Sequence, residues 1–227
     1  MYLTVIVPVY NEAATIARVL AAVEAADIGD TQREVVVVDD GSTDGTREAI
    51  EPFASRCRIL RHEKNRGKGA AVRTALSASS GEFVIIQDAD LEYDPKDWPA
   101  LIAALSADTG LAAVYGSRNT GKDRRGYLPY FLGGWLLTVA VNVLCGTRLT
   151  DVTTGYKLFR RSALQNIGLR ADGFEFDEEV TVKLLRAKGR IGEAPISYRP
   201  RTFAEGKKIR PRDGIRGLAT IISCRFS

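Results

Sequence analysis

Two runs of consecutive apolar residues, VVVV (35–38) and FVII (83–86), constrain the fold more than any other feature of this chain. A strand that is apolar at every position has no solvent face, so it belongs in a sheet covered on both sides, which in practice means parallel pairing. TVIVPV (4–9), EVVVVDD (34–40), RILRH (58–62), EFVIIQD (82–88) and AAVYGSR (112–118) predict strands. Between them, Ile16, Val19, Leu20 and Val23 recur at helical spacing, as do Ala49, Ile50 and Phe53, then Val72, Ala75 and Leu76, then Leu101, Ile102 and Leu105. Helix starts are marked at Asn11-Glu12, at 42–44 and at Asp94-Pro95. The alternation predicts an α/β fold with a mostly parallel, Rossmann-like sheet flanked by helices. Downstream, TDVTTGYKLF (150–159) reads as a loop, 177–188 as a helix and IGEAPISYRP (191–200) as a strand. No internal repeat or low-complexity linker interrupts the chain, so residues 1–227 form one expected domain, with halves 1–120 and 121–227.

The chemistry is bounded by what is scarce. The chain has one histidine, His62, and three cysteines, Cys57, Cys145 and Cys224, so a disulfide framework and a thiolate or histidine zinc site are both disfavoured. Nucleophilic machinery that needs an imidazole would have to run through His62, which leads into the charged run EKNRGK. Acids, bases and metal ligands are therefore expected to be carboxylates. The chain opens in an apolar strand without a basic leader, from which cytosolic residence is expected. The net charge of +4 is uneven: residues 186–227 carry +8, leaving the remainder acidic.

Acidic groups gather where predicted strands end. Asp39-Asp40 closes the second strand and Asp88-Ala89-Asp90-Leu91-Glu92 the fourth. In open α/β sheets the ligand crevice lies beyond the carboxyl ends of the strands, so both groups should face one cleft. Carboxylates at Asp88, Asp90 and Glu92 suit Mg²⁺ or Mn²⁺, which would neutralise a diphosphate. An EF-hand is excluded by Tyr93 at the sixth position and Pro99 at the twelfth. Gly67-Lys68-Gly69 lacks the third glycine of a dinucleotide fingerprint, and no phosphate-loop motif occurs, although Lys68 could reach a phosphate.

VIVPVYNE, VVVVDDGSTDGT, NRGKGAAVR and QDADLEYDP, in that order over residues 4–95, resemble the family 2 glycosyltransferases of GT-A fold. The resemblance implies a nucleotide-sugar donor in the first half. Carried over by position, Pro8, Tyr10 and Glu12 would line base and ribose, with Val38 and Asp40 beside them. Asp88 and Ala89 would touch the nucleotide, and Asp90 and Glu92 would hold the metal. The family often has Gln where Glu92 stands.

The second half resembles the polyprenyl-phosphate branch of that family, the dolichyl-phosphate mannose and glucose synthases, through GSR (116–118), DVTTGYKLFRR (151–161), GFEFDEEV (173–180) and EAPISYRPRTFAEGKKIRPRDG (193–214). An acceptor phosphate is already largely ionised at neutral pH and needs no general base. It does need cations, and Arg118, Arg201 and Lys207 are the candidates, with Lys208 and Arg210 next. Asp151, Asp177, Glu178 or Glu179 would then orient Arg118, Lys157 or another cation, whereas a hydroxyl acceptor would require one of these acids as a base. The uncharged stretch 126–147, with Lys122, Arg124 and Arg125 before it and Ile221-Ile222 in the basic tail, reads foremost as a surface lying on an anionic membrane or against the acceptor lipid, with a plain buried helix and a membrane span as alternatives.

The expected function is thus inverting, metal-dependent transfer of a hexose, from a donor such as GDP-mannose or UDP-glucose, to a polyprenyl phosphate by a peripheral enzyme of the cytoplasmic membrane face. No nucleic-acid partner is expected. The rivals are a family 2 transferase acting on a saccharide hydroxyl and a non-catalytic nucleotide-binding or membrane-docking module.

Overall fold

The computed structural model describes residues 1–120, 128–202 and 206–227, without the side chains of 128–130. Lys122, Arg124 and Arg125 therefore lie outside the described residues. Seven strands form one sheet in the order β3-β2-β1-β4-β6-β5-β7. They are β1 Tyr2–Val9, β2 Gln32–Asp39, β3 Arg58–Arg61, β4 Phe83–Ile86, β5 Leu111–Ser117, β6 Lys157–Arg160 and β7 Arg190–Pro195. The helices are α1 Ile16–Ala25, α2 Thr46–Ile50, α3 Lys68–Ala78, α4 Trp98–Ala107, α5 Leu128–Cys145, α6 Arg161–Gln165, α7 Phe176–Arg186 and α8 Pro211–Phe226.

The apolar runs are buried on both faces. Leu3, Val5, Val7 and Ile85 pack with Val19 and Leu20 of α1 and Trp98 and Leu101 of α4. Ile6, Val36, Val38 and Ile86 pack on the other side with Ala71 and Val72 of α3 and Phe176 and Val180 of α7. Because β2 and β4 lie on opposite sides of β1, the chain reverses its direction of build there, and a crevice opens beyond the ends of β1, β2 and β4.

One expectation is overturned. The end of the presumed loop, Lys157–Arg160, is strand β6, antiparallel to both β4 and β5. Its pattern, two apolar residues between two cations, is neither alternating nor continuously apolar. Leu158 enters one core layer and Phe159 the other. The flanking cations are satisfied internally, Lys157 by Asp177 and Arg160 by the carbonyls of Leu105 and Leu111. A third apolar cluster joins Val141 of α5, Val182 of α7 and Ile221 of α8, so the second half is built onto the same sheet.

Candidate active site

The acidic run after β4 does not act as one three-toothed ligand. Asp88 pairs with Lys68 at the start of α3 at 2.9 Å, and the same ammonium stands 3.7 Å from Asp177. Asp177 in turn holds the fully buried Lys157 at 2.6 Å. Gly155 makes room for this bridge, since a Cβ there would meet an Asp88 oxygen at 2.3 Å. Asp90 accepts the Glu92 N–H at 3.1 Å and Arg201 at 2.9 Å. Between them Leu91 is left-handed, φ +61°. The Glu92 carboxylate accepts the Tyr198 hydroxyl and the Arg201 N–H, both at 2.8 Å, with Lys207 3.5 Å away.

Among the described residues no three acidic, histidine or cysteine side chains converge into a metal cage. A magnesium-type ion uses one or two carboxylates and completes its shell with water and substrate phosphates. Asp88 and Asp90 fit that role, and the Glu92 carboxylate, through Tyr198 and the Arg201 N–H, also ties the segment after β7 to the acidic run. The electrostatics agree. Burial above all raises both the Asp88 and Asp90 carboxyls. Asp90 adds to this at Asp88 and Glu92 at Asp90, and Lys68 and Arg201 do not cancel it. Burial thus makes charge on both carboxylates costly, a cost that a bound hard cation would offset.

The residues expected to meet a donor stand at the ends of β1 and β2. Pro8 and Val38 are register partners. The Val38 side chain is fully buried under α3, so it cannot line a ribose; only its backbone remains for that contact. Asp40 is also consumed: one oxygen binds His62 Nδ1 at 2.6 Å and the Arg66 N–H at 2.9 Å, the other the Gly67 N–H at 2.7 Å. His62 is completed by Thr74, so the single imidazole and Asp40 together shape the loop before α3. Ala89 contributes its carbonyl to Thr15. Tyr10 gives its carbonyl to Lys208, whose ammonium lies 5.9 Å from the Tyr10 ring centroid. Glu12 accepts Arg201 at 3.0 Å and Lys208 at 2.5 Å.

On the opposite flank Arg118, just past β5, is held by Asp151 through two bonds of 2.7 Å. Burial alone would raise the Asp151 carboxyl, but the Arg118 charge and its bonds outweigh that and hold it below the ordinary range. The guanidinium lies 5.1 Å over the ring of Tyr198, whose hydroxyl reaches Glu92. Tyr198 also packs on Tyr93, which stacks on Tyr156 at 4.9 Å. Arg118, Arg201 and Lys207 are therefore gathered about the acidic run. Arg210 is not; its backbone N–H bonds to Asp213 at the start of α8. Sequence reasoning missed Tyr198 and Gly155 as organisers, although both lie inside the motifs of the second half.

Helices α5 and α8 expose large apolar side chains: Phe131, Leu132, Trp135, Leu136 and Val143 on one, Ile215, Leu218, Ile222 and Phe226 on the other. The α8 set recurs at helical spacing opposite the buried Gly217, Ile221 and Cys224, and Arg212 and Arg216 flank it. Among the described residues no helix is long and apolar enough to cross a membrane.

The family model Glycosyl transferase family 2 matches residues 4–168. The chain is 27% identical to dodecaprenyl-phosphate galacturonate synthase of Rhizobium johnstonii, over 90% of this chain and 61% of that protein, so it spans less than two thirds of that relative. It is 28% identical to dolichyl-phosphate beta-glucosyltransferase of Dictyostelium discoideum, over 100% of this chain and 74% of that protein. Glucosyl-3-phosphoglycerate synthase of Mycobacterium tuberculosis, solved with Mn²⁺, UDP and glucosyl-3-phosphoglycerate, shares the fold. Its TM-score is 0.78 at 24% identity, covering 98% of this chain and 79% of that one.

Proposed function

The chain belongs to glycosyl transferase family 2, and from that premise we propose that it transfers a hexose, with inversion, from a uridine or guanosine diphosphate sugar to a polyprenyl phosphate. The observation that carries the choice of acceptor is the state of the carboxylates on the acceptor flank. Asp151 is bound twice by Arg118, and Asp177 is held by Lys157 with Lys68 beside it. Neither is left as the base that a hydroxyl nucleophile needs, and the one imidazole is locked between Asp40 and Thr74. An acceptor that arrives ionised needs none. The names of the two matched relatives point to the same acceptor class.

In this reading an acceptor phosphate oxygen attacks the anomeric carbon, the bond from that carbon to the diphosphate oxygen breaks, and the nucleoside diphosphate leaves with the electron pair. No proton moves. Asp88 and Asp90 would hold Mg²⁺ or Mn²⁺, which supplies neutralisation of the leaving diphosphate. Arg118, fixed in orientation by Asp151, binds the acceptor phosphate, while Arg201 and Lys207 bind phosphate oxygens between the two anions and offset their repulsion. The apolar stripes of α5 and α8, with their flanking arginines, rest on the anionic cytoplasmic face of a membrane, where the lipid acceptor resides.

The test is transfer of labelled sugar from UDP-glucose and GDP-mannose to a short-chain polyprenyl phosphate with Mn²⁺, by wild type, Arg118→Ala and Arg201→Ala. Loss of transfer by at least about a hundredfold in both variants is expected. Undiminished turnover in both, or transfer to a saccharide hydroxyl in preference to the phosphate, overturns the reading.

A further inference from the structure

Arg201 holds two of the site's acids at once. Its guanidinium donates to Asp90 at 2.9 Å and to Glu12 at 3.0 Å, and its backbone N–H binds Glu92. The third guanidinium position, Nε, is buried without a hydrogen-bond partner among the described residues, with Glu92 Oε1 3.9 Å away. A buried donor left unpaired costs stability unless something fills the gap. The Asp90 oxygens are meanwhile used by one backbone N–H and by Arg201 itself. A divalent ion that binds Asp90 therefore meets a cation already seated there.

We propose that Arg201 is a built-in counter-cation that competes with the divalent metal for Asp90 in the donor-free protein and is transferred to the diphosphate when the donor arrives, making metal and donor binding mutually dependent. This rests on the functional reading above. Before donor binds, metal entry must displace a guanidinium from Asp90 and leave positive charges facing each other. A diphosphate removes that penalty. It offers Arg201, including its orphaned Nε, the anionic oxygens that Asp90 gives up, in a planar fork geometry suited to phosphate. Linkage then requires that nucleotide raise metal affinity by the same factor by which metal raises nucleotide affinity. Glu12 and Glu92 keep the backbone and side chain of this segment close during the exchange.

The test is calorimetric titration of Mn²⁺ into wild type, Arg201→Ala, Arg201→Lys and Arg199→Ala, each without nucleotide and with saturating UDP or GDP. Arg199 is an exposed cation of the same segment, so its variant controls for loss of charge alone. In the nucleotide-free protein Arg201→Ala is expected to bind Mn²⁺ about fivefold or more tightly than wild type, Arg201→Lys to fall between them, and Arg199→Ala to match wild type. The gain in Mn²⁺ affinity on adding nucleotide shrinks in Arg201→Ala. Mn²⁺ affinity in nucleotide-free Arg201→Ala equal to or weaker than wild type overturns the competition while leaving the transferase reading intact. An equal gain in Arg199→Ala and Arg201→Ala overturns it as well. Failure of every protein to bind Mn²⁺ with either nucleotide overturns both.

Discussion

At the scale of single residues, the pair Arg118–Asp151 is the clearest case of one side chain existing to aim another. Asp151 is almost fully buried and its charge is spent on Arg118. Asp151→Asn would leave the guanidinium half-held, and transfer is expected to fall on the order of a hundredfold because a misplaced cation no longer meets the acceptor phosphate. The same change should cost about 3 kcal/mol of stability in urea titrations near pH 7, since a largely buried charge loses its partner. The sign of the pH dependence follows from a carboxyl held below its ordinary value of 3.8. The pair's stabilisation is complete above that value and is lost as pH falls through the lower folded one. The gap between wild type and variant should therefore be constant from about pH 7 to 5 and close in stronger acid. Arg118 and Arg201 were legible in the sequence because they stand in motifs, and an acid orienting Arg118 was among the expectations, whereas the hold of Glu12 and Asp90 on Arg201 was not. The contacts of Glu92 with Tyr198 and the Arg201 N–H were not legible either, because they join residues far apart in the chain.

At the scale of elements, the strands with continuous apolar runs were plain from sequence, and the strand bracketed by cations was not. Lys157 looked like a loop residue until its burial against Asp177 could be seen. The first turn of α7 carries Asp177, Glu178 and Glu179, all buried. The sequence left them a shared role, as orienters of cations or as the base for a hydroxyl acceptor. Here the three act separately. Asp177 serves the lysines, Glu179 accepts the backbone N–H groups of Arg170 and Ala171 together with Lys183, and Glu178 packs against α8. A Cβ on Gly217 would lie 3.2 Å from the Glu178 carboxyl carbon, so the two helices meet at that group. Burial first, and the Asp177 charge next, push the Glu178 carboxyl up to about 8. A folded value raised above the unfolded one means that the native state binds the extra proton, so stability declines as pH rises from about 4.5 to 8. Glu178→Gln should leave Tm nearly unchanged at pH 5 and raise it at pH 8, by about 2–4 °C for each kcal/mol recovered. An equal Tm shift at both pH values would remove Glu178 as the source of the pH dependence.

At the scale of the whole molecule, charge and apolar surface are segregated in a way that only the fold makes physical. The sequence places +8 in residues 186–227, but Arg201, Lys207 and Lys208 turn inward to the acidic crevice. What remains outward on α8 is the stripe of Ile215, Leu218, Ile222 and Phe226 between arginines, beside the exposed side chains of α5. A face of that kind gains from burying apolar area in the interface and from anionic headgroups together, and it needs no membrane-spanning helix to do so. The two tryptophans make the idea directly measurable. Trp98 is wholly buried in the core, whereas Trp135 is half exposed on α5, so any change of tryptophan emission on adding vesicles reports on that face. Vesicles containing phosphatidylserine should shift the emission to the blue and pellet the protein, with binding weakening as salt is raised because the arginine contribution is screened. Ile222→Asp with Phe226→Asp should abolish pelleting yet leave Mn²⁺ and nucleotide binding intact, since neither side chain contacts the crevice. Equal binding of this double variant and wild type would remove α8 from the membrane contact. A blue shift equally strong on neutral vesicles at high salt would show that apolar burial alone holds the face, without the arginines.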